Sequence, residues 1–370
     1  MRVGIAGLGS VAFGLHIPAV VSSAPRLILV GGADEEPSAR QRFHQATGLR
    51  AYENVEHLMH AAAPDLLIVA TPPSTHVENV VCGLNSAAHV LCEKPLALGV
   101  GQASALHAVA EANGLQLAVN VHFRYQPALR ALAQRVSTGR AGRPLLTQAT
   151  QLTTEPPEGA ASGWRRELRN RSMLEGGIHV IDYVLFLHGC APVSVCAAQS
   201  DGRLGKDDTD AISVTSIVFR DGSLANVVIN RRFAAGTRYL EVRTDTENEC
   251  LELSIGGRAA VRVGKERGAK AGLHLEFAAG GIAYASKGLR RTVLGRNPRC
   301  ASLVATKRLL EEVAANISFG VEVGCSARSV LPALTVIEAA YESARTGRTV
   351  KLGGNETALH GDAGSAEGVV

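Results

Sequence analysis

The chain predicts an α/β protein: an N-terminal doubly wound parallel sheet, followed by an α+β unit with an open, mainly antiparallel sheet. Three observations carry this. Up to about Val121, short β-branched runs alternate with helical periods; after Pro127, strands follow one another directly; and a glycine-rich turn, Gly7-Leu8-Gly9, separates the first strand from the first helix. The N-terminal strands are expected at 2–6, 27–33, 65–70, 89–92 and 115–119. Their intervals are too long for hairpins, so successive strands run the same way and helices cover both faces. The run Leu66-Leu67-Ile68-Val69 suits a strand buried on both sides.

Beyond Pro127 a helix is expected to about 138, a strand at 145–153, a polar loop with Pro and Gly, and a helix at 173–188. Strands at 193–198, 211–220, 224–232, 239–244, 250–255 and 259–263 then alternate apolar and polar residues. Turns such as Asp221-Gly222 and Gly256-Gly257 punctuate them. This is antiparallel patterning, with helices on one face. Helices at 301–318 and 328–346 close the chain, the second ending at Gly347, where a C-cap is expected. The expected units are 1–122, 123–352 and a small, polar, disordered tail at 353–370.

Composition narrows the class. The 370 residues suit two domains, and 38 Lys plus Arg against 34 Asp plus Glu leave +4 on a chain that is 46% hydrophobic, which excludes a disordered polyelectrolyte. Thirty-nine glycines without a period exclude collagen. Basic residues mostly alternate with acids, so no nucleic-acid partner is expected. Seven scattered cysteines without a Cys-x-x-Cys pair argue against a disulfide framework or zinc knuckle, and no metal is expected. Residues 3–25 lack Lys, Arg, Asp and Glu, as a secretory leader does. Yet Gly4, Gly7, Gly9, Gly14, His16 and Pro18 interrupt any apolar helix, whereas strand, turn and helix fit. No other stretch suggests a membrane span, and a cytoplasmic protein is expected.

Gly7-Leu8-Gly9-Ser10-Val11-Ala12 has the form Gly-x-Gly-x-x-Ala at a strand-to-helix junction. Gly7 permits the tight turn, Gly9 lets backbone approach a pyrophosphate, and Ala12 allows close helix packing, while the helix start offers unpaired N–H groups. Asp34, ending the second strand, suits ribose hydroxyls and repels a 2′-phosphate, so NAD is favoured over NADP. Two alternatives stay open: Asp34-Glu35-Glu36 as a plain exposed turn, and Arg40 swinging in to meet a phosphate.

Further motifs follow in order: Thr71-Pro72-Pro73 with His76, Glu93-Lys94-Pro95-Leu96, Asn120 through Pro127, Trp164-Arg165, Gly177-Ile178-His179-Val180-Ile181-Asp182, and Tyr341 through Gly347. Together they resemble the Gfo/Idh/MocA (glucose-fructose oxidoreductase, inositol dehydrogenase, rhizopine catabolism) family from Arg2 to about Leu352. The resemblance implies a Rossmann domain and a second domain whose open sheet serves oligomer contacts, hence a homo-oligomer. It implies cofactor contacts at Gly7, Gly9, Ser10, Val11, Asp34, Thr71, Pro72, His76, Glu93 and Lys94. Asn120, Arg124, Tyr125, Trp164 and Arg165 fall on the substrate side.

The chemistry follows residue by residue. Thr71-Pro72-Pro73, at the carboxyl end of a parallel strand, is a firm wall for the nicotinamide or a mere strand terminator. Lys94, extended before Pro95, can stabilise alkoxide charge, although a lone Lys before Pro is ordinarily a solvated loop residue. Glu175 and His179, spaced i and i+4, share a helix face: the imidazole takes an alcohol proton while the carboxylate orients it. An amphipathic helix with a solvated acid is the plain alternative. Well-known members carry Asp where this chain has Glu175, which weakens any transfer of inositol specificity. Asp182 is expected to be structural. Arg124, Tyr125, Trp164 and Arg165 offer donors and aromatic faces to a polyhydroxylated ring, or else an interdomain salt bridge and a packed loop.

The implied activity is NAD(P)-dependent hydride transfer on a secondary alcohol or ketone of a sugar, sugar derivative or cyclitol. Lys94, His179 and Glu175 carry it. An NAD-dependent glycoside hydrolase using transient redox and a non-enzymatic nucleotide-sensing regulator are the alternatives. One segment stands apart: 265–300 holds eight basic residues against Glu266 and Glu276. Its stretch 286–294 is expected as a solvated loop or a short basic amphipathic turn.

Overall fold

The structure, a computed structural model, describes residues 1–153, 172–200, 210–234, 238–256, 258–264, 272–278 and 280–353. The Trp164-Arg165 pair and the 354–370 part of the tail lie outside them. The N-terminal sheet is built from β1 (Arg2–Ala6), β2 (Ile28–Ala33), β3 (Ala51–Tyr52), β4 (Leu66–Val69), β5 (His89–Cys92) and β6 (Leu117–Val119) in the order β3-β2-β1-β4-β5-β6. Every pairing in it is parallel. All four residues of β4 are fully buried, as an apolar run in the middle of a two-sided sheet must be. The two-residue strand β3 is too short to leave a periodic trace and was not anticipated.

Helices α1 (Ile17–Val21), α2 (Pro37–Thr47), α3 (Val55–Ala62), α4 (His76–Asn85) and α5 (Val100–Ala112) connect these strands. The strand order reverses between β1 and β4, so their carboxyl ends open a crevice lined by the turns after β1, β2, β4 and β5.

Among the described residues the second sheet has nine strands. These are β7 (Pro144–Leu152), β8 (Pro192–Ser200), β9 (Ile212–Phe219), β10 (Leu224–Asn230), β11 (Arg238–Thr246), β12 (Cys250–Ile255), β15 (Ile282–Lys287), β16 (Arg290–Arg296) and β17 (Val350–Lys351), while β13 (Arg258–Gly264) and β14 (Gly272–Ala278) form a separate pair. The order is β16-β15-β12-β11-β7-β10-β9-β8-β17, antiparallel throughout except for the parallel contact of β7 with β10. Strand β9 shows the alternation: Ser213, Thr215, Ile217 and Phe219 are buried, while Val214, Ser216 and Val218 face out. The inner face is covered by α6 (Pro127–Ser137), α7 (Ile178–His188) and α9 (Ala327–Thr346); α8 (Ala301–Phe319) and α9 also pack back onto α1 and α5 of the first sheet. Gly347 caps α9 with φ +66°, as expected.

The basic segment departs from expectation. Residues 286–294 are neither loop nor amphipathic turn but span the hairpin of β15 and β16 at the sheet edge, with Gly288 turning at φ +58°. Residues 282–285 are all buried, and Arg291 stacks 3.7 Å over the Tyr284 ring while reaching Glu252 at 3.2 Å. A strand at a covered edge tolerates long basic side chains because they lie along the sheet, so charge density masked its period.

Candidate active site

A cavity of about 650 Å³ opens at the carboxyl ends of β1, β2, β4 and β5. Gly7, Gly9, Ser10, Val11, Asp34, Thr71, Pro72, His76, Glu93 and Lys94 all line it, with Leu174 and Glu175 from the second unit. Gly7 is required twice over: its φ is +86°, and a Cβ there would lie 2.6 Å from the Ala70 carbonyl carbon and the Thr71 nitrogen. Gly9 has the opposite surroundings. A Cβ on it would meet nothing within 4 Å, so its bare backbone faces the cavity. The helical segment from Ser10 to Val21 starts beside that turn, so its first N–H groups are available to an anion.

Asp34 stands at the end of β2. Its Oδ2 accepts from the Leu8 N–H at 2.7 Å and its Oδ1 from the Glu36 N–H at 2.9 Å, which aims the carboxylate across the mouth of the glycine turn. Each oxygen keeps a lone pair for a further donor. Glu35, Glu36, Glu53 and Glu56 line the same end. Arg40 lies beside this loop, its Nη1 donating to the carbonyls of Asp34 at 2.8 Å and Glu35 at 2.7 Å.

At the other end the chain turns after β5. Glu93 is 9% exposed, and its Oε1 accepts from His16 Nε2 at 2.8 Å and from Asn120 Nδ2 at 2.7 Å, while its Oε2 accepts the Lys94 N–H at 3.2 Å. Burial by itself would raise this carboxyl's pKa, but His16, Lys94 and Asn120 overcome it and hold it down to about 2. His16 arrives there because the first helix passes through a π-turn at Ala12–His16 before α1. Such a turn shifts the register by a residue and is often found at functional sites. A second π-turn, Met173–Gly177, precedes α7 on the opposite wall.

Lys94 Nζ donates to the carbonyl of Glu175, within that second π-turn, at 2.7 Å. One turn on, His179 is 5% exposed; its ring stacks on Phe123 at 4.6 Å and 13° and meets His122 edge-on at 4.7 Å. Burial pushes its pKa well below the usual histidine value, and the charge of Lys94 and the neighbouring His122 push the same way. The imidazole is therefore neutral at pH 7. His122 itself is driven down to about 4, again chiefly by burial.

Three expectations, for Glu175, Arg124 and Tyr125, are revised by geometry. The Glu175 carboxylate does not orient His179: its Oε2 accepts from Arg231 Nη2 at 3.0 Å, and packing against Phe123 and His122 holds the imidazole instead. Arg124 is not on the substrate side. It is buried, donates to Asp182 through Nε at 2.9 Å and Nη2 at 2.5 Å, and spends its remaining donors on Gly324 and Ser329. Asp182 thus has the structural role expected of it. Tyr125 is buried too, with its hydroxyl donating to Glu312 on α8 at 2.8 Å. His76, which lines the cavity as expected of a cofactor-side residue, has its ring nitrogens 2.8 Å from the Pro95 carbonyl and 2.9 Å from the Thr71 carbonyl, tying the two loops together.

Asn120 is fully buried, and among the described residues its Oδ1 has no partner, as is also true of His16 Nδ1 and His122 Nδ1. The bare face of Gly9 and the carboxylate of Asp34, both lining the cavity, fit a dinucleotide lying across the crevice. His16, His122, Phe123 and Arg231 were not read as site residues. His122 and Phe123 fall within a motif already quoted, but no sequence signal marks Arg231 as a partner of Glu175.

Comparison with known proteins agrees with this geometry. Residues 1–121 match the signature of the oxidoreductase family with an NAD-binding Rossmann fold, Gfo/Idh/MocA, and residues 129–247 match that family's C-terminal domain. The chain is 26% identical over 227 residues to 1,5-anhydro-D-fructose reductase of Ensifer adhaerens, covering 60% of this chain and 67% of that one. It is 27% identical over 239 residues to the rhizopine catabolism protein MocA of Rhizobium meliloti, covering 64% and 73%. An Agrobacterium radiobacter oxidoreductase solved with NAD+, L-tartaric acid and magnesium superposes with a TM-score of 0.77 over 95% of this chain and 98% of that one, at 17% identity, a likeness of fold alone. With both units matched in order, this chain belongs to the Gfo/Idh/MocA family of NAD-binding oxidoreductases.

Proposed function

We propose that the chain is an NAD-dependent dehydrogenase acting on a secondary alcohol of a sugar, sugar derivative or cyclitol. One observation carries the reading: the Lys94 ammonium, from the turn after β5, lines the cavity and donates to the carbonyl of Glu175, one helical turn before the buried, neutral imidazole of His179 on α7. NAD supplies the hydride acceptor when bound. His179, already deprotonated, takes the hydroxyl proton of the substrate, and Lys94 stabilises charge on that oxygen as it develops. Glu175, anchored by Arg231, holds Lys94 through its own carbonyl. The acidic residues beside Asp34 favour NAD, since a 2′-phosphate there meets like charge.

Related proteins lend the substrate class: the relatives include a D-glucoside 3-dehydrogenase of Escherichia coli. Residues 1–122 would hold the cofactor and 123–352 the substrate and a second copy of the chain. The outer face of the nine-stranded sheet supports the second copy: Val214, Val218 and Leu224 are 40%, 36% and 46% exposed on adjacent strands, with Val218 directly opposite Leu224. Among the described residues no helix is long and apolar enough to cross a membrane. A panel of polyols and sugars followed at the NADH absorbance band, with NAD and NADP in parallel, tests the reading. NAD-dependent turnover that is lost in His179→Ala supports it; no turnover on any polyhydroxylated compound overturns it.

A further inference from the structure

The cavity wall after β5 holds a charge that the proposed chemistry does not use. Glu93 faces the cavity and is nine-tenths buried, while Asn120, the main chain of Lys94 and the fully buried His16 each donate to it. This arrangement is built across three elements. His16 comes from the π-turn that follows the glycine loop, Glu93 from the end of β5 and Asn120 from the end of β6, 77 and 27 residues from Glu93 in sequence. Three donors on one carboxylate, two of them in buried hydrogen bonds, keep it ionised and fixed in direction. Lys94 donates its main-chain N–H here, while its Nζ is directed at the Glu175 carbonyl.

NAD exists in two charge states: the pyridinium ring of the oxidised form is cationic and the dihydropyridine of the reduced form is neutral. The remainder of the molecule is common to both. A fixed carboxylate in a water-poor wall discriminates between them, because Coulomb attraction to a cation is strong at low effective dielectric and absent for a neutral ring. Asp34 and its acidic neighbours lie at the carboxyl end of β2, three strands from β5 in the sheet, or roughly 14 Å at the usual strand spacing. They meet both forms alike.

We propose that Glu93, held by His16 and Asn120, is a specificity-determining residue that biases this site toward binding the oxidised form of the cofactor. The inference rests on the NAD-binding reading above. Its test is the ratio of the dissociation constants for NADH and NAD+, measured on the full chain without substrate at pH 8, by NADH fluorescence and by calorimetry. Glu93→Gln keeps the shape and the hydrogen-bond acceptor but removes the charge; the ratio is expected to fall about tenfold, chiefly through weaker NAD+ binding. Glu93→Ala, checked for folding by circular dichroism, must shift the ratio the same way. A ratio that stays within twofold of wild type in Glu93→Gln, or a parallel loss of both affinities, overturns the inference. If the wild-type chain binds neither nucleotide, it is the cofactor reading that fails.

Discussion

The imidazole of His179 lies almost parallel to the ring of Phe123, 4.6 Å away and 13° from coplanar. That contact replaces water on one face of a group that works as a base only when neutral. Burial, then Lys94, then His122 lower its pKa, so the basic form is present at and below neutral pH. The acid limb of kcat/KM for alcohol oxidation is accordingly expected below pH 6.5. Replacing His122 by Phe removes one lowering influence and moves the limb upward. A pH–rate profile reads both. His179→Ala should lower kcat by about 10²–10⁴-fold and Lys94→Ala by about 10²–10³-fold, with NAD+ affinity retained in the former.

Gly7 and Gly9 separate folding from binding. Ala at Gly7 must adopt a positive φ and collide with the Ala70–Thr71 backbone, so thermal stability falls steeply, by about 3 kcal/mol or more. Ala at Gly9 meets no protein atom and leaves the melting temperature nearly unchanged, but it intrudes on the cavity. Calorimetry should show NAD+ affinity reduced at least about tenfold in Gly9→Ala.

Arg124 and Asp182 form a buried pair joining the turn after β6 to α7. Burial raises the Asp182 pKa even though Arg124 opposes it, so the carboxylate depends on its partner. Arg124→Ala is expected to cost about 3–5 kcal/mol in denaturant unfolding, and the double change Arg124→Met with Asp182→Leu substantially less. Substrate KM, measured where the variant is folded, should not single out this residue.

Glu93 also makes a pH prediction for stability. Its folded pKa of about 2 lies below the ordinary 4.5, so the stabilisation it brings is complete above 4.5 and is lost as pH falls from there toward 2. The size is about 3 kcal/mol by linkage. His16→Leu removes its strongest partner and should flatten that part of the acid unfolding curve, as read by denaturation midpoints between pH 5 and 3.

The outward face of β9 and β10 should set the oligomeric state. Val218→Glu with Leu224→Glu places two carboxylates side by side on that face without touching the core. Light scattering is expected to report a shift to monomer, with the circular dichroism spectrum unchanged.

Much of this was legible in the chain alone. The parallel sheet, the glycine turn, Asp34 at the end of β2, Lys94 at the end of β5 and the cap at Gly347 follow from local periodicity and local backbone demands, which neighbouring residues encode by themselves. Three-dimensional packing decided the charges. His16 meets Glu93 from 77 residues away, Asp182 takes Arg124 from 58 and Arg231 takes Glu175 from 56. A guanidinium or carboxylate reads the same in sequence whether it awaits substrate or a buried partner. Desolvation compels it to pair with whatever opposite charge the fold brings within reach, and that neighbour is set by how helices and sheets stack rather than by any period along the chain.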